Sequence, residues 1–213
     1  MTPKQKLQSI AFILIFVFLM AACSGRTEPF TETFDDVGNW RVASDSNVSG
    51  EVVNGVYDFH VFASNFPFWT TAGLEFEDGN YEVEATQISG PVDNGYGMIF
   101  RVDDENDDFY SFQISGDGYV WIGLYKNGGK EEAEPIVDEW WFASEAVNQG
   151  LNVQNRLRVQ AEGANLIFYV NDQEVGRVTE NTLPRGDIGL MVRTLGIGDV
   201  NVQFDNFSVT PIE

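Results

Sequence analysis

The sequence is poor in the residues that most metal and covalent chemistry requires. It holds one cysteine, Cys23, and one histidine, His60, in 213 residues. An internal disulfide and a Cys/His zinc set are therefore excluded. His60, in "YDFHVFAS", has no thiol or second imidazole to work with and reads as a structural or exposed strand histidine. Cations are scarce as well: 12 Lys and Arg stand against 33 Asp and Glu, for a net charge of −21. Nucleic acids and anionic lipid surfaces both require a cationic face, so neither is an expected partner. No glycine-rich phosphate loop follows a strand and opens a helix, which removes nucleotide binding. Long helical periodicity is missing too. The best short candidate, "WWFASEAVNQ" (Trp140 to Gln149), predicts one or two turns or a loop. The one long apolar run, Ile10 to Met20, falls short of the roughly 20 residues a bilayer crossing needs.

What is present at the N-terminus is an address. Lys4 and Lys6, the apolar run, and then small residues before a cysteine form the pattern of a secretory signal. The stretch Met20-Ala21-Ala22-Cys23 resembles the lipobox of bacterial lipoproteins, although leucine is more usual where Met20 stands. That resemblance implies a signal peptide over residues 1–22 and lipidation of Cys23. Residues 23–30 then form a short tether and residues 31–213 one domain. The tether reaches at most about 25 Å. The expected location is the extracytoplasmic membrane face or cell surface of a bacterium, with the lipid as the only membrane contact. The sequence leaves the oligomeric state open.

From Phe34 onward, short runs of alternating apolar and polar residues are broken by turn dipeptides such as Asn54-Gly55, Asn127-Gly128, Glu162-Gly163 and Asn171-Asp172. Runs of strand length with turn signals about every dozen residues predict an all-β, antiparallel two-sheet sandwich or barrel. Successive strand side chains point to opposite faces. In "YGMIFRV", Tyr96, Met98, Phe100 and Val102 are thus expected on one face and Gly97, Ile99 and Arg101 on the other. In "YSFQIS", Gln113 opposes Phe112 and Ile114. In "YVWIGLY", Tyr119, Trp121 and Tyr125 oppose Val120, Ile122 and Leu124.

The segments "FDDVGNW", "GYGMIFRVDDENDDFYSFQISGDGYVWIGLYKNGG", "NRLRVQAEGANLIFYVNDQEVGRV", "GDIGLMVR" and "VQFDNFSV", in that order, resemble the concanavalin A-like jelly-roll domains. Within that superfamily they are most similar to the laminin-G-like and family-16-glycosidase-like domains of bacterial surface proteins, including those named 3-keto-disaccharide hydrolase. The resemblance spans about Phe34 to Val209 and implies a jelly-roll sandwich. It does not fix the activity, because this fold hosts enzymes, sugar-binding modules and adhesion modules alike.

Sugar sites in that superfamily pair an aromatic platform with polar partners, the general chemistry of a ligand pocket. The non-aliphatic face above supplies both: Tyr119, Trp121 and Tyr125 as platforms, Arg101 and Gln113 as partners. Packing under a loop such as Glu131 to Ala146 is the alternative for Trp121 and Tyr125. Trp140 and Trp141 are expected in that loop, at the rim, with one of them in the core. The expected function is non-catalytic binding of a polysaccharide or glycan. A glycosidase-like hydrolase and a structural or protein-binding surface module are the alternatives.

Family-16 glucanases carry an E-x-D-x-x-E motif. Its nearest approach here is "YEVEATQ", where Glu82 and Glu84 lie about 7 Å apart on one strand face. The third acid is missing, and the alternation equally describes an exposed sheet face. No organic cofactor is expected. The candidates for a structural calcium are Asp103 and Asp107 of "DDENDD", or Asp35 with Asp205, since the first and last strands of such sandwiches run side by side. The EF-hand test fails for Asp103 to Asp108, which lacks the glycine at position six and has Ile114 in place of the bidentate glutamate.

Overall fold

The computed structural model describes residues 28–41, 43–129 and 133–212. Cys23, the signal segment and residues 23–27 of the expected tether lie outside the described residues. The strands are β1 (Phe30–Glu32), β2 (Ala43–Ser44), β3 (Val48–Val53), β4 (Val56–Val61), β5 (Pro67–Thr71), β6 (Gly79–Ser89), β7 (Gly95–Asp103) and β8 (Asp108–Ser115). They continue with β9 (Tyr119–Tyr125), β10 (Glu134–Pro135), β11 (Phe142–Ala143), β12 (Gln154–Glu162), β13 (Asn165–Val170), β14 (Gln173–Thr179), β15 (Asp187–Arg193) and β16 (Val200–Thr210). All pair antiparallel, as two stacked sheets. The nine-stranded sheet runs β14-β13-β12-β6-β16-β4-β3-β2 with β1 also on β16. The seven-stranded sheet runs β10-β9-β8-β7-β15-β5 with β11 also on β9. The two-sheet antiparallel sandwich expected from the turn spacing is the fold observed.

Local rules account for much of this. Asn54 and Gly55, between β3 and β4, have φ of 53° and 78°. Asn171 and Asp172, between β13 and β14, have φ of 49° and 66°. Positive φ at both central residues is what a tight two-residue hairpin requires, and Asn and Asp tolerate it. The stretch Trp140 to Gln149 takes the loop option, holding only the short β11 and turns. In β6, Tyr81, Val83 and Ala85 are buried while Glu82 and Glu84 are partly exposed, so one face of the nine-stranded sheet packs on the core and the other meets water. Between the sheets lies an aromatic core, in which Phe112 and Phe168 meet edge to face at 5.3 Å and Tyr81 and Phe100 pack tilted at 5.6 Å.

The seven-stranded sheet differs: β7, β8, β9 and β15 are buried along almost their whole length, on both faces. Its outward face carries a second apolar cluster of Ile99, Val102, Phe109, Trp121, Tyr125, Ala133 and Met191, against which Trp69 and Trp141 pack. Something must therefore cover this sheet, and the cover decides which residues a ligand can reach.

One departure from simple alternation matters here. The register slips between Phe100 and Asp103 against β8, and between Asp187 and Ile188 against β7. Arg101, with φ of 51°, is the extra residue of this bulge. The slip moves Val102 to the outward cluster with Ile99, instead of the core face shared with Phe100. It also turns Arg101 away from Gln113 and Trp121, into the end of the sandwich. There Arg101 is fully buried, and its guanidinium donates to the carbonyls of Glu77, Leu183 and Gly163 and to Asp78.

The β-bulge is held from the other strand by Asp187. Its buried carboxylate accepts N–H bonds from Gly73, Leu74 and Ile188, each at 2.7 Å. Asp187→Ala leaves three backbone donors without their acceptor, that of Ile188 in a buried bond and those of Gly73 and Leu74 in part-buried ones, and should cost about 1–3 kcal/mol of stability by chemical denaturation. A loss under about 1 kcal/mol would show that water replaces these bonds easily.

Candidate functional site

The cover on the seven-stranded sheet is built by the chain between β10 and β11, which both pair with the same edge of β9. Ile136 and Val137 pack toward the core, and Trp140 and Trp141 close over Trp121. The Trp121 and Trp140 rings meet at 67° with centroids 4.6 Å apart, and Trp141 lies at 6.1 Å. Gly123 and Gly95 make the room beneath. A Cβ on Gly123 would sit 2.4 Å from the Trp121 ring, and one on Gly95 would sit 2.4 Å from Gln113 Oε1 and 2.9 Å from Trp141.

The sequence-predicted residues separate accordingly. Gln113 and Trp121 are directly opposed across β8 and β9 and share the outward face, but both are completely buried. Gln113 donates to Ser111 Oγ at 2.7 Å. Gln113 Oε1 and Trp121 Nε1 have no hydrogen-bond partner among the described residues. Arg101 belongs to the sandwich end and corrects the expectation that it faces a ligand. Tyr119 is exposed, at the start of β9 beside Ala143 of β11, and is not among the residues lining the cleft beside Trp140. Tyr125, expected as a platform, does line it.

That cleft, about 380 Å³, is lined by Asn65, Phe66, Pro67, Tyr125, Gly129, Ala133, Trp140, Arg193, Thr194 and Leu195. Its size falls within the range usual for small-ligand sites. Two aromatic rings are open to solvent: Trp140, 46% exposed, and Phe66, 52% exposed. The rim opposite Trp140 is fixed by main-chain bonds. Thr194 donates its N–H to Phe66 O at 3.1 Å and its hydroxyl to Ala63 O at 2.9 Å. Asn65 accepts from Gly196 N and donates to Gly196 O. Arg193 ends β15, opposite Pro67 of β5 and Gly95 of β7. Its Nη1 donates to the Tyr125 hydroxyl at 2.9 Å. Burial pushes the pKa of that hydroxyl up, against the opposing pull of the Arg193 charge, so it is neutral at physiological pH.

Glu82 and Glu84 lie elsewhere, on the outer face of the nine-stranded sheet, opposite Arg158 and Arg156 of β12 in register. Glu82 is 3.8 Å from Arg156 and 3.9 Å from Arg158. Burial pushes its pKa up, and the two guanidinium groups oppose that. Glu84 accepts from Asn206 Nδ2 at 2.7 Å. No carboxylate among the described residues lines the aromatic cleft.

The acidic hairpin between β7 and β8 is largely self-contained. Asp103 accepts from Glu105 N and Asn106 Nδ2, and the bond from Asn106 holds its carboxyl below the usual carboxylate range. Asp107, with φ of 55°, lines a second cleft of about 340 Å³ with Asp104, Arg41, Trp69 and Asp187. Asp35 and Asp205 do come into the same neighbourhood. Burial raises the pKa of Asp205, and the charges of Glu84 and Asp35 add to the rise. Among the described residues, no three His, Cys, Asp or Glu side chains form a group that could hold a metal ion.

Phe66 and Arg193 were not singled out from sequence. Arg193 had a usable signal: in "DIGLMVR" it falls on the same strand face as Gly189 and Met191. Phe66 lies in a loop whose position depends on contacts far along the chain.

No protein-family model and no curated protein matches the sequence. Solved structures do. The carbohydrate-binding module CBM66 from Bacillus subtilis superposes with a TM-score of 0.64 at 18% identity, covering 82% of this chain and 98% of that one. A β-1,3-1,4-glucanase (lichenase) derived from a mouse hindgut metagenome gives 0.61 at 15% identity, covering 86% and 99%. The laminarinase catalytic domain from Thermotoga maritima gives 0.61 at 12% identity, covering 89% and 99%. With two antiparallel sheets in this order, the chain has the concanavalin A-like jelly-roll fold.

Proposed function

We propose that the protein binds glycans without cleaving them, at the cleft between Trp140, Phe66 and Arg193. The observation that carries this reading is the lining of the cleft. It offers a half-exposed tryptophan, a second exposed ring and a fixed arginine, with no carboxylate among the described residues. Hydrolysis of a glycosidic bond requires two carboxyl groups about 5–9 Å apart on either side of the bond, whereas binding requires a platform and a few placed polar groups. Glu82 and Glu84, on the outer face of the other sheet and facing arginines, do not meet the cleft. The fold is shared with a carbohydrate-binding module and with glucanases, which is compatible with either activity.

The test is a panel of oligosaccharides titrated by calorimetry. Trp140→Ala should weaken binding at least tenfold, the effect of losing one central aromatic contact of about 2 kcal/mol. Its melting temperature should stay close to wild type, because Trp140 is half exposed. Unchanged affinity in that variant would move the site elsewhere.

Lipid anchoring through Cys23 completes the proposal. Phe30 pairs with Val209 near the end of β16, whereas Gly196 and Gly198, just before the start of β16, are bonded to Asn65 and Ser64 at the cleft rim. The nine residue steps from Val200 to Val209 span about 30 Å. A tether entering at Phe30 thus leaves the cleft at the far end, facing outward from the membrane.

A further inference from the structure

The charge of the cleft runs against the charge of the chain. Acids outnumber cations 33 to 12, yet Arg193 is the one charged side chain lining the cleft among the described residues. Five of the other described cations are ion-paired: Arg101 with Asp78, Lys126 with Glu134, Arg156 with Asp172 and Glu82, Arg158 with Glu82, and Arg177 with Glu174. Arg193 has no carboxylate within ion-pair distance among the described residues. Its one side-chain bond goes to the Tyr125 hydroxyl, which is neutral and cannot balance the charge.

The other polar groups of the cleft are committed. Both ends of the Asn65 amide are bonded to Gly196. The Thr194 hydroxyl donates to Ala63 O and accepts from Phe66 N. A ligand entering the cleft therefore meets aromatic rings and a planar guanidinium with most of its five N–H donors to offer. That fork matches the two oxygens of a carboxylate, and the pair is stronger than a bond to a neutral hydroxyl. A partly desolvated cation with no counter-charge among the described residues is also unfavourable in the free protein, so an anionic ligand relieves a cost that a neutral one leaves in place.

We propose that the cleft takes a carboxylated saccharide, a uronic acid unit whose ring stacks on Trp140 and whose carboxylate rests on Arg193. This rests on the glycan-binding reading above and narrows its ligand class. The net charge of −21 adds a constraint, because it repels densely charged polyanions at long range. The matching ligand carries spaced carboxylates rather than dense sulfation.

The test compares tri-galacturonate with its methyl ester, which keeps the ring and removes the charge, by calorimetry on the full chain. The acid should bind tenfold or more tightly than the ester, a difference set by one charge-assisted fork, and added salt should narrow the gap. Arg193→Gln should bring the acid down to the affinity of the ester, Arg193→Lys should keep part of the preference, and Glu84→Gln, outside the cleft, should keep all of it. Thermal melts of each variant establish that it is folded. Equal affinity for acid and ester, or a preference that survives Arg193→Gln, overturns the carboxylate assignment, as does binding of neutral oligosaccharides alone. Those results leave glycan binding standing, whereas no binding by either probe or by the neutral panel defeats the glycan reading itself.

Discussion

Replacing Arg101 with methionine should lower the unfolding free energy by about 3–5 kcal/mol and leave saccharide affinity unchanged. The side chain is completely buried and joins three separate connections at one end of the sandwich. Nε and Nη2 donate to Glu77 O at 3.2 and 3.1 Å, just before β6. Nη1 donates to Leu183 O at 3.2 Å, between β14 and β15, and Nη2 donates to Gly163 O at 2.9 Å, in the turn between β12 and β13. Methionine fills much of the volume but leaves the Glu77, Leu183 and Gly163 carbonyls without their guanidinium donors, while Asp78, half exposed, keeps its bond from Gly163 N; unsatisfied acceptors at a covered site are what make such a deletion costly. Lysine should recover little, since one ammonium cannot reach acceptors that a planar fork reaches in different directions. Urea denaturation measures the first effect and calorimetry the second. A folded Arg101→Met protein that has lost saccharide binding would falsify the separation of this residue from the site.

Arg101 also shows how far the sequence could be read. Period-two alternation and turn dipeptides are local signals, and they located the strands, the hairpins at Asn54-Gly55 and Asn171-Asp172, and the two-sheet class. Face assignment by counting assumes an unbroken register. Tyr96, Met98 and Phe100 obey it; one bulge at Arg101 reverses everything after it. Nothing in "IFRVDD" announces that bulge, and the room it occupies is made across the sheet. There, Gly186 carries no side chain, and a Cβ on it would sit 2.2 Å from Val102 O.

The site itself was partly legible. The aromatic face of β9 and the pair Trp140-Trp141 in the following loop were visible, and the structure makes Trp140 the exposed one and Trp141 the half-buried one. Packing of Trp121 and Tyr125 under this loop was one of the two readings open for them, and the structure takes it; what could not be seen was how the loop is held there. Covering depends on β10 and β11 both returning to the same strand edge, a long-range pairing with no local mark. The acids at Glu82 and Glu84 are the opposite case. Their alternation said only that one face was wet, and Arg156 and Arg158 in register supply the reason they are there.

The consequence of that cover is sharpest at Trp121. Trp121→Ala should destabilise the protein by about 3–5 kcal/mol, the usual cost of emptying a buried aromatic site. Any accompanying loss of saccharide binding should follow from a displaced Trp140, which rests on the Trp121 ring at 4.6 Å. Trp121→Phe separates packing from contact. It keeps a ring over Gly123, and the N–H it removes has no hydrogen-bond partner among the described residues, so no bond is lost and a desolvated donor is relieved. That variant should cost about 1–2 kcal/mol at most, the remainder of the cavity term, and retain saccharide affinity. If Trp121→Phe stays stable yet loses binding, the indole N–H must meet the ligand directly. The Trp140–Trp141 segment would then have to lift away when the glycan arrives.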